Sequence, residues 1–534
     1  MGEEAVELYS DLVLNLISSN SSHIGPCLEM LVQNLQPRKG KGGAAEVEVS
    51  ERIFKYIHQA IARVLELAPT SITPLFSALS ANFPHRRLDV DTQRFYLSNL
   101  LQLTQYCPAL RGSVLSIAVK KALELDVEIE LALVAEDEEE EEEEFLFDLE
   151  INGEARRQEQ SEMANKLDVL MGLLFRHLQS LTEGASYEER HELFSFMLQI
   201  FDSMIIKTHK SKYTQFLMFY LCWTEEPFAQ NFLGYLLNKI LDPSNHTLTR
   251  QTCAAYVGGF LARASFLSAD VMQQTLNVLA TWCQNYLDSC TRNIPDAELH
   301  ALFYSVCQAI FYAVCFKHSA FLLTEDAKQH FASLQLEDII ESSLNPFKFC
   351  TISVVREFAR VTSHYSALSA QCDCTALIER NQRLVLPTKT VFGGLNQMEA
   401  FFPFDPYLLR QSSVFVQDIY QTWSPPENTT PYNGENNNSE TEDSQKGTGR
   451  LRSSSDVLLS TSAGMAIASY SPSPALLPSP LRLRSHASAI PIAAAGSASP
   501  SASASEPASS FEEHGFTPEA TLDIDFKLSW DGAL

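Results

Sequence analysis

The chain is 534 residues long, 45% of its residues are hydrophobic, and its formal net charge is −27. This length and apolar content suffice for a large folded core. The acidic excess argues against naked nucleic acid as the main partner, because phosphate binding depends on Lys and Arg, and favours protein partners with basic patches. Most of the 11 cysteines lie in apolar helical stretches, which indicates buried thiols in a reducing compartment.

Residues 1–134 are predicted to form amphipathic helices, the N-terminal part of a helical-repeat domain. Ile53, Ile57 and Ile61 recur at the helical spacing of one apolar face. The first ten residues lack the basic and apolar regions of a secretory signal.

Residues 136–144 are nine consecutive acidic residues. Like charges at this density repel one another and bury no apolar surface. We therefore predict an acidic disordered loop over residues 135–160.

Residues 161–423 return to helical periodicity and form the predicted C-terminal part of the helical-repeat domain. Leu167, Leu170, Leu174 and Leu178 make one apolar stripe. Further helices are predicted at about 186–207, 211–223, 228–241, 247–264, 268–288, 296–316 and 325–343. The apolar run 301–316 is short for a bilayer span and contains polar residues, so it predicts a wholly buried helix and no membrane contact.

Many helices of similar length with short Pro- and Asn-containing loops predict an all-α fold, a HEAT-repeat-like α-solenoid of stacked helix pairs. No repeat of fixed period is evident, so the repeats would be degenerate. A compact all-α bundle is the alternative.

The segment 401–423 combines aromatic residues with Pro403 and Pro406, followed by a stretch of helical period. Proline fixes φ and interrupts helices, so the first part is predicted to be rigid and irregular, and the second part helical. Its aromatics either close the end of the solenoid core, with the helix packed beneath, or contact a partner directly.

Residues 424–534 are rich in Ser, Pro and Ala and are predicted to be a disordered tail. The tail carries Ser-Pro pairs that are candidate phosphorylation sites, at Ser471, Ser473, Ser479 and Ser499. Such pairs also occur by chance in sequence of this composition.

The sequence contains no phosphate-binding glycine loop, no nucleophile elbow and no HExxH motif, and Cys372 and Cys374 lack a second pair at metal-ligand spacing. No catalytic site, cofactor or metal is therefore predicted, and the function should lie in a binding surface. A generic HEAT-type nuclear adaptor or transport scaffold would satisfy these observations.

Several blocks in a fixed order resemble the RNA polymerase I-specific transcription initiation factor family, also called transcription initiation factor IA. These blocks include KLDVLMGLLF (166–175), RQTCAAYVGGFLARASF (250–266), HALFYSVCQAIFYAVCFKH (300–318), LNPFKFC (344–350) and FFPFDPYLL (401–409). The resemblance implies a HEAT-repeat solenoid with an acidic loop, and further N-terminal helices in family members.

The resemblance also implies a function. Members bind RNA polymerase I near its stalk and bridge it to the promoter-bound core or selectivity factor, so that contact with the ribosomal DNA promoter is mainly indirect. They act in the nucleus and nucleolus to start rRNA synthesis, are controlled by phosphorylation, and can form homodimers when not bound to polymerase.

Two groups of candidate residues follow from the resemblance. The first is a phospho-regulated, polymerase-binding face comprising Thr70, Ser71, Ser77, Ser80 and Ser113; alternatively, Thr70 or Ser71 simply caps the next helix. The second is a promoter-factor contact at Arg250 and Arg263; alternatively, Gly258 and Gly259 allow close helix packing and the arginines merely cap or pair.

Overall fold

The structure, a computed structural model, describes residues 3–37, 44–140, 149–208, 211–290, 294–369, 372–384, 401–424 and 426. Within these ranges the chain is helical, and its α-helices are α1 (Glu3–Ser19), α2 (Ile24–Gln33), α3 (Ala44–Leu67), α4 (Ile72–Ala81), α5 (Val90–Tyr106), α6 (Arg111–Glu140), α7 (Leu149–Thr182), α8 (Tyr187–Ile200), α9 (Phe216–Thr224), α10 (Glu226–Leu241), α11 (Thr247–Arg263), α12 (Ala269–Ser289), α13 (Ala301–Leu322), α14 (Glu325–Ser333), α15 (Leu336–Ile340), α16 (Pro346–Phe349), α17 (Ile352–His364) and α18 (Cys374–Leu384).

The helices pack chiefly on near neighbours in the chain. Helix α5 packs on α7, α10 on α11, α11 on α13, and α13 on α17. Each pair buries apolar faces that neither helix could bury alone, as in stacked helical repeats. The all-α solenoid prediction is confirmed, and no strand occurs in the described ranges.

Helix α13 is buried along almost its whole length. By length and composition it could cross a membrane, but 89% of its most apolar window is buried inside the protein. The predicted buried helix is therefore confirmed, although it continues beyond residue 316 across a kink at Lys317, where φ is −109° and ψ is 23°.

Several predicted helices differ from the structure in their bounds or in their conformation. The stretch predicted over 325–343 is divided into α14 and α15 because Gln335 adopts a left-handed φ of 49°. The stretch 186–207 leaves α-helical geometry after Ile200 and continues as a π-helical turn, Phe201–Ile205. The helix predicted after the aromatic segment was wrong, because only the 3-10 turn Ser412–Phe415 forms there.

Helical backbone extends into the acidic stretch from its N-terminal side. Helix α6 continues to Glu140 and α7 begins at Leu149, so the described backbone extends into the segment 135–160 that the sequence predicts as a loop. Residues 141–148 lie outside the described residues, and the bounds of the loop stay a prediction.

The contact between α5 and α7 contains a titratable group. His177 on α7 is 8% exposed, and its Nε2 lies 3.3 Å from Thr104 Oγ1 on α5. Burial, together with the charge of Arg111, lowers the pKa of His177 to about 4.

Acidification should therefore weaken the fold through His177. The unfolded chain protonates this histidine below about pH 6.5, whereas the folded chain resists protonation until about pH 4. This contribution to the free energy of unfolding is present above pH 6.5 and should fall by roughly 3 kcal/mol as the pH falls to 4. Denaturation at several pH values should show a smaller decline for His177→Gln than for wild type. The exposed His23→Gln serves as control, and equal declines in all three proteins would contradict the expectation.

Candidate functional site

The predicted serine-bearing surface lies at the junction of α3 and α4. Thr70 is exposed in the turn Pro69–Ser71. Ser77 and Ser80 are exposed on α4, and their spacing of three residues places them on one helix face. All three residues are exposed, and we call this set the α4 surface.

The other two members of the predicted set are less accessible. Ser71 is 0% exposed, and its hydroxyl donates to the Ala68 carbonyl at 2.6 Å. It precedes α4 but makes no side-chain capping bond. Ser113 is half-buried in the first turn of α6. Exposure therefore favours Thr70, Ser77 and Ser80 as sites that another protein can reach.

The four tail serines, Ser471, Ser473, Ser479 and Ser499, lie outside the described residues.

The two predicted promoter-factor arginines lie in structural contacts. Arg263 is 7% exposed, with its guanidinium carbon 4.2 Å from the Phe316 ring centroid and its Nη2 3.6 Å from Asp405. Arg250 is half-buried and donates from Nε to the Ile240 carbonyl at the end of α10, at 2.7 Å. The Arg263 guanidinium is therefore covered and lies beside a carboxylate, and Arg250 caps the end of α10. Both contacts are of the kind expected if the arginines merely cap or pair.

The aromatic segment is part of a strap, residues 401–424, that crosses the helices instead of closing their end. Phe402 stacks on Tyr312 of α13, with ring centroids 4.6 Å apart. Phe404 is fully buried against α9 and α11, and Tyr407 packs against α9 and α7. The strap thus runs outward from α13 to α7 over two intervening helices.

The strap then returns to α13. Phe415 stacks on Phe175 of α7 at 5.3 Å, and Tyr420 forms an isolated antiparallel bridge with Ala264 after α11. The Tyr420 hydroxyl donates to the Phe404 carbonyl at 2.9 Å, which joins the outward and return legs. These aromatics therefore pack on the core in this chain, as the core-packing alternative expects, but they lie across α9, α11 and α13 and do not close the end of the solenoid.

Polar anchors fix the two ends of this path. Asp168 of α7 is 5% exposed and accepts hydrogen bonds from the backbone N–H groups of Gln411 and Ser412, both at 2.8 Å, and from the Ser412 hydroxyl at 2.5 Å. At α13, the Lys317 ammonium donates to the Ala264 carbonyl at 2.7 Å and to the Gln421 side chain. Burial lowers the pKa of Lys317 to about 8.

Among the described residues, no cluster of three or more His, Cys, Asp or Glu side chains could hold a metal ion. The Cys372 and Cys374 sulfurs lie 4.0 Å apart, and burial raises the pKa of both thiols, which disfavours the thiolate form that metals and redox chemistry require. These cysteines are core residues.

Sequence reasoning missed one exposed feature, the indole of Trp223, which is 47% exposed at the end of α9. The apolar block FLMFYLCW (216–223) is typical of a buried helix, and its residues from Phe216 to Cys222 are buried. The sequence feature that could have indicated this exposure is the polar run from Thr224 to Glu226. This run directly follows the tryptophan, where α9 ends at the surface.

Comparison with known proteins places this architecture in a family. The profile of the family described as RNA polymerase I specific transcription initiation factor RRN3 matches residues 1–428. RNA polymerase I-specific transcription initiation factor RRN3 of Mus musculus is 32% identical over 464 residues, which cover 79% of this chain and 70% of that protein. Its counterpart in Schizosaccharomyces pombe is 29% identical over 459 residues, covering 79% and 74%.

A solved structure supports the fold. The crystal structure of RNA polymerase I transcription initiation factor Rrn3 superposes with a TM-score of 0.65 and 22% identity, over 79% of this chain and 82% of that one. A solved structure at 22% identity shows a shared fold only. The family profile matches all of the described helices and shows common ancestry. The chain belongs to the RNA polymerase I specific transcription initiation factor RRN3 family.

Proposed function

We propose that this chain is an RNA polymerase I transcription initiation factor that acts in the nucleus and nucleolus. It binds the polymerase near its stalk and bridges it to the promoter-bound core or selectivity factor, so that contact with ribosomal DNA is mainly indirect. The observation that carries the proposal is the family match across residues 1–428, which includes every described helix. The net charge of −27 supports a role through protein partners instead of direct binding to DNA.

Depletion and rescue test this function. Removal of the protein from nuclear extract should abolish initiation on a ribosomal DNA template and spare an RNA polymerase II template, and the purified full chain should restore the lost activity. Tagged chain should also bring down RNA polymerase I subunits. Restoration without polymerase binding, or binding without restoration, would contradict the bridging role.

Phosphorylation of the α4 surface is the proposed control of polymerase binding. A phosphate adds about two negative charges and three acceptor oxygens, which changes the fit to a charged partner surface. The exposure of Thr70, Ser77 and Ser80 supports this assignment. At Ser71, the full burial of the hydroxyl means that modification would require the turn Pro69–Ser71 to open.

Thr70→Glu is expected to weaken polymerase binding about fivefold, which corresponds to ~1 kcal/mol for one added surface charge. Thr70→Ala should bind like wild type, because the proposed control acts through added negative charge and alanine adds none. Affinity for purified RNA polymerase I at low and physiological salt measures the effect. Ser333→Glu, an exposed position on α14, controls for overall charge. Equal losses for both glutamate variants would refute a specific role of the α4 surface.

The promoter-factor contact at Arg250 and Arg263 also stays a proposal. Arg250 is the more accessible of the two, since Arg263 lies beneath the strap. Arg250→Gln should reduce binding to the purified promoter factor and leave polymerase binding unchanged. Sedimentation of the chain alone, and of the chain with polymerase, distinguishes the proposed homodimer from the polymerase-bound monomer.

A further inference from the structure

Trp223 is the exposed end of a helix whose other large residues are buried. The preceding residues Leu221 and Cys222 are 0% exposed, whereas the indole is 47% exposed. On its protected side the indole lies against Tyr220, with ring centroids 5.6 Å apart. This contact orients the ring and leaves another part of it open to solvent.

Two hollows meet at this indole. One, of about 160 Å³, lies between α10 and α12 and is lined by residues including Ala229, Phe266 and Val271. The other, of about 360 Å³, lies between α7 and α8 and is lined by residues including Thr182 and Arg190. At the centre of protein interfaces, side chains of one partner fill recesses on the other, and aromatic residues are frequent there. The indole of Trp223 and the two hollows beside it offer such a surface to a partner.

The charge around the indole is mostly negative. Glu226 is exposed at the start of α10 and lines the smaller hollow, and Glu183 is exposed at the end of α7 and lines the larger one. The lining cation, Arg190, is paired with Glu225 at 2.7 Å. A partner group placed here would meet two exposed carboxylates and the face of an indole.

We propose that Trp223 and its two hollows, here called the Trp223 site, bind a basic peptide segment of a protein partner. An arginine of that segment stacks on the indole, since a guanidinium is attracted to an aromatic face, and neighbouring basic side chains reach the carboxylates of Glu183 and Glu226. An acidic segment or a nucleic acid phosphate would be repelled by the same carboxylates. The inference rests on the proposed function only in that the chain works through protein partners.

Photocrosslinking identifies the chemistry of the occupant. The full chain carrying Trp223→p-benzoylphenylalanine is irradiated with purified RNA polymerase I and the promoter factor, and the crosslinked peptides are sequenced by mass spectrometry. The expected product is a segment with net positive charge and at least one arginine. The same amino acid at Leu323, which is 63% exposed elsewhere, is the control. No crosslink above that control, or a crosslink to an acidic or apolar segment, a second copy of the chain or nucleic acid, would overturn the proposal.

Affinity for the crosslinked segment, made as a synthetic peptide, provides the second test. Trp223→Ala and Glu226→Lys should each weaken peptide binding about tenfold, as should replacement of the peptide arginine by glutamine. Leu323→Ala and Glu298→Lys are the matched controls and should bind like wild type. If all four protein variants bind equally, the Trp223 site is not the binding surface. Because peptide binding is measured separately from initiation on ribosomal DNA, failure of this proposal is distinguishable from failure of the proposed function.

Discussion

Gly258→Val is expected to destabilise the protein by roughly 3 kcal/mol, because it drives two core helices apart. Gly258 lies on α11 where that helix crosses α13. A Cβ atom at this position would lie 2.8 Å from the Ala309 Cα and 2.9 Å from its Cβ. The nearest atoms are backbone and the first side-chain carbon, so no flexible side chain can move aside, and the helices themselves must separate.

Gly25→Val is the matched control for this variant. Gly25 is also helical, but a Cβ there would meet no atom within 4 Å. Its unfolding free energy should change by no more than about 0.5 kcal/mol, because valine and glycine differ little in helix propensity. Denaturant unfolding followed by far-UV circular dichroism gives both values. Similar midpoints for the two variants would show that α11 and α13 do not depend on this close approach.

Asp168→Asn is expected to detach the outer part of the strap from α7 and to cost about 3 kcal/mol. The carboxylate accepts from three donors, the N–H groups of Gln411 and Ser412 and the Ser412 hydroxyl. An amide of the same size replaces one acceptor oxygen by a donor group, which leaves buried donors without acceptors.

Hydrogen exchange of the Gln411 and Ser412 amides measures this detachment directly. Gly259→Ala should give the same exchange pattern by another route, since its Cβ would lie 2.1 Å from the Pro403 carbonyl oxygen on the outward leg. Asp418→Asn changes an exposed carboxylate on the same strap and should leave exchange unaltered. Unchanged protection in both Asp168→Asn and Gly259→Ala would mean that the aromatic contacts alone hold the strap.

The strap is where sequence reasoning reached its limit. Its rigidity could be predicted, because Pro403 and Pro406 constrain the backbone whatever surrounds them. Its return leg has helical apolar spacing and yet forms only a 3-10 turn, because Asp168 and Phe175, over two hundred residues away, bind it in another conformation. Local periodicity does not contain contacts of that sequence separation.

For the candidate sites as well, the sequence indicated residues, and the packing decided which of them are exposed. The hydroxyls near α4 could be proposed from the sequence, but only packing separates the exposed Thr70 from the buried Ser71 beside it. For Arg263 the sequence left a partner contact and a structural pair both open, and in the fold the strap covers it beside Asp405. Trp223 ends an apolar block typical of a buried helix, and the end of α9 exposes it.

By itself the sequence determined the all-α class, the burial of α13 and the family, because helical periodicity, apolar content and block order are properties of the chain alone. The tertiary structure alone decided which side chains reach solvent and where the strap lies. Exposure depends on what packs against a residue. Ser71 is buried in a turn, Arg263 is buried beneath the strap, and Trp223 is exposed at a helix end. Local sequence patterns do not specify any of these surroundings.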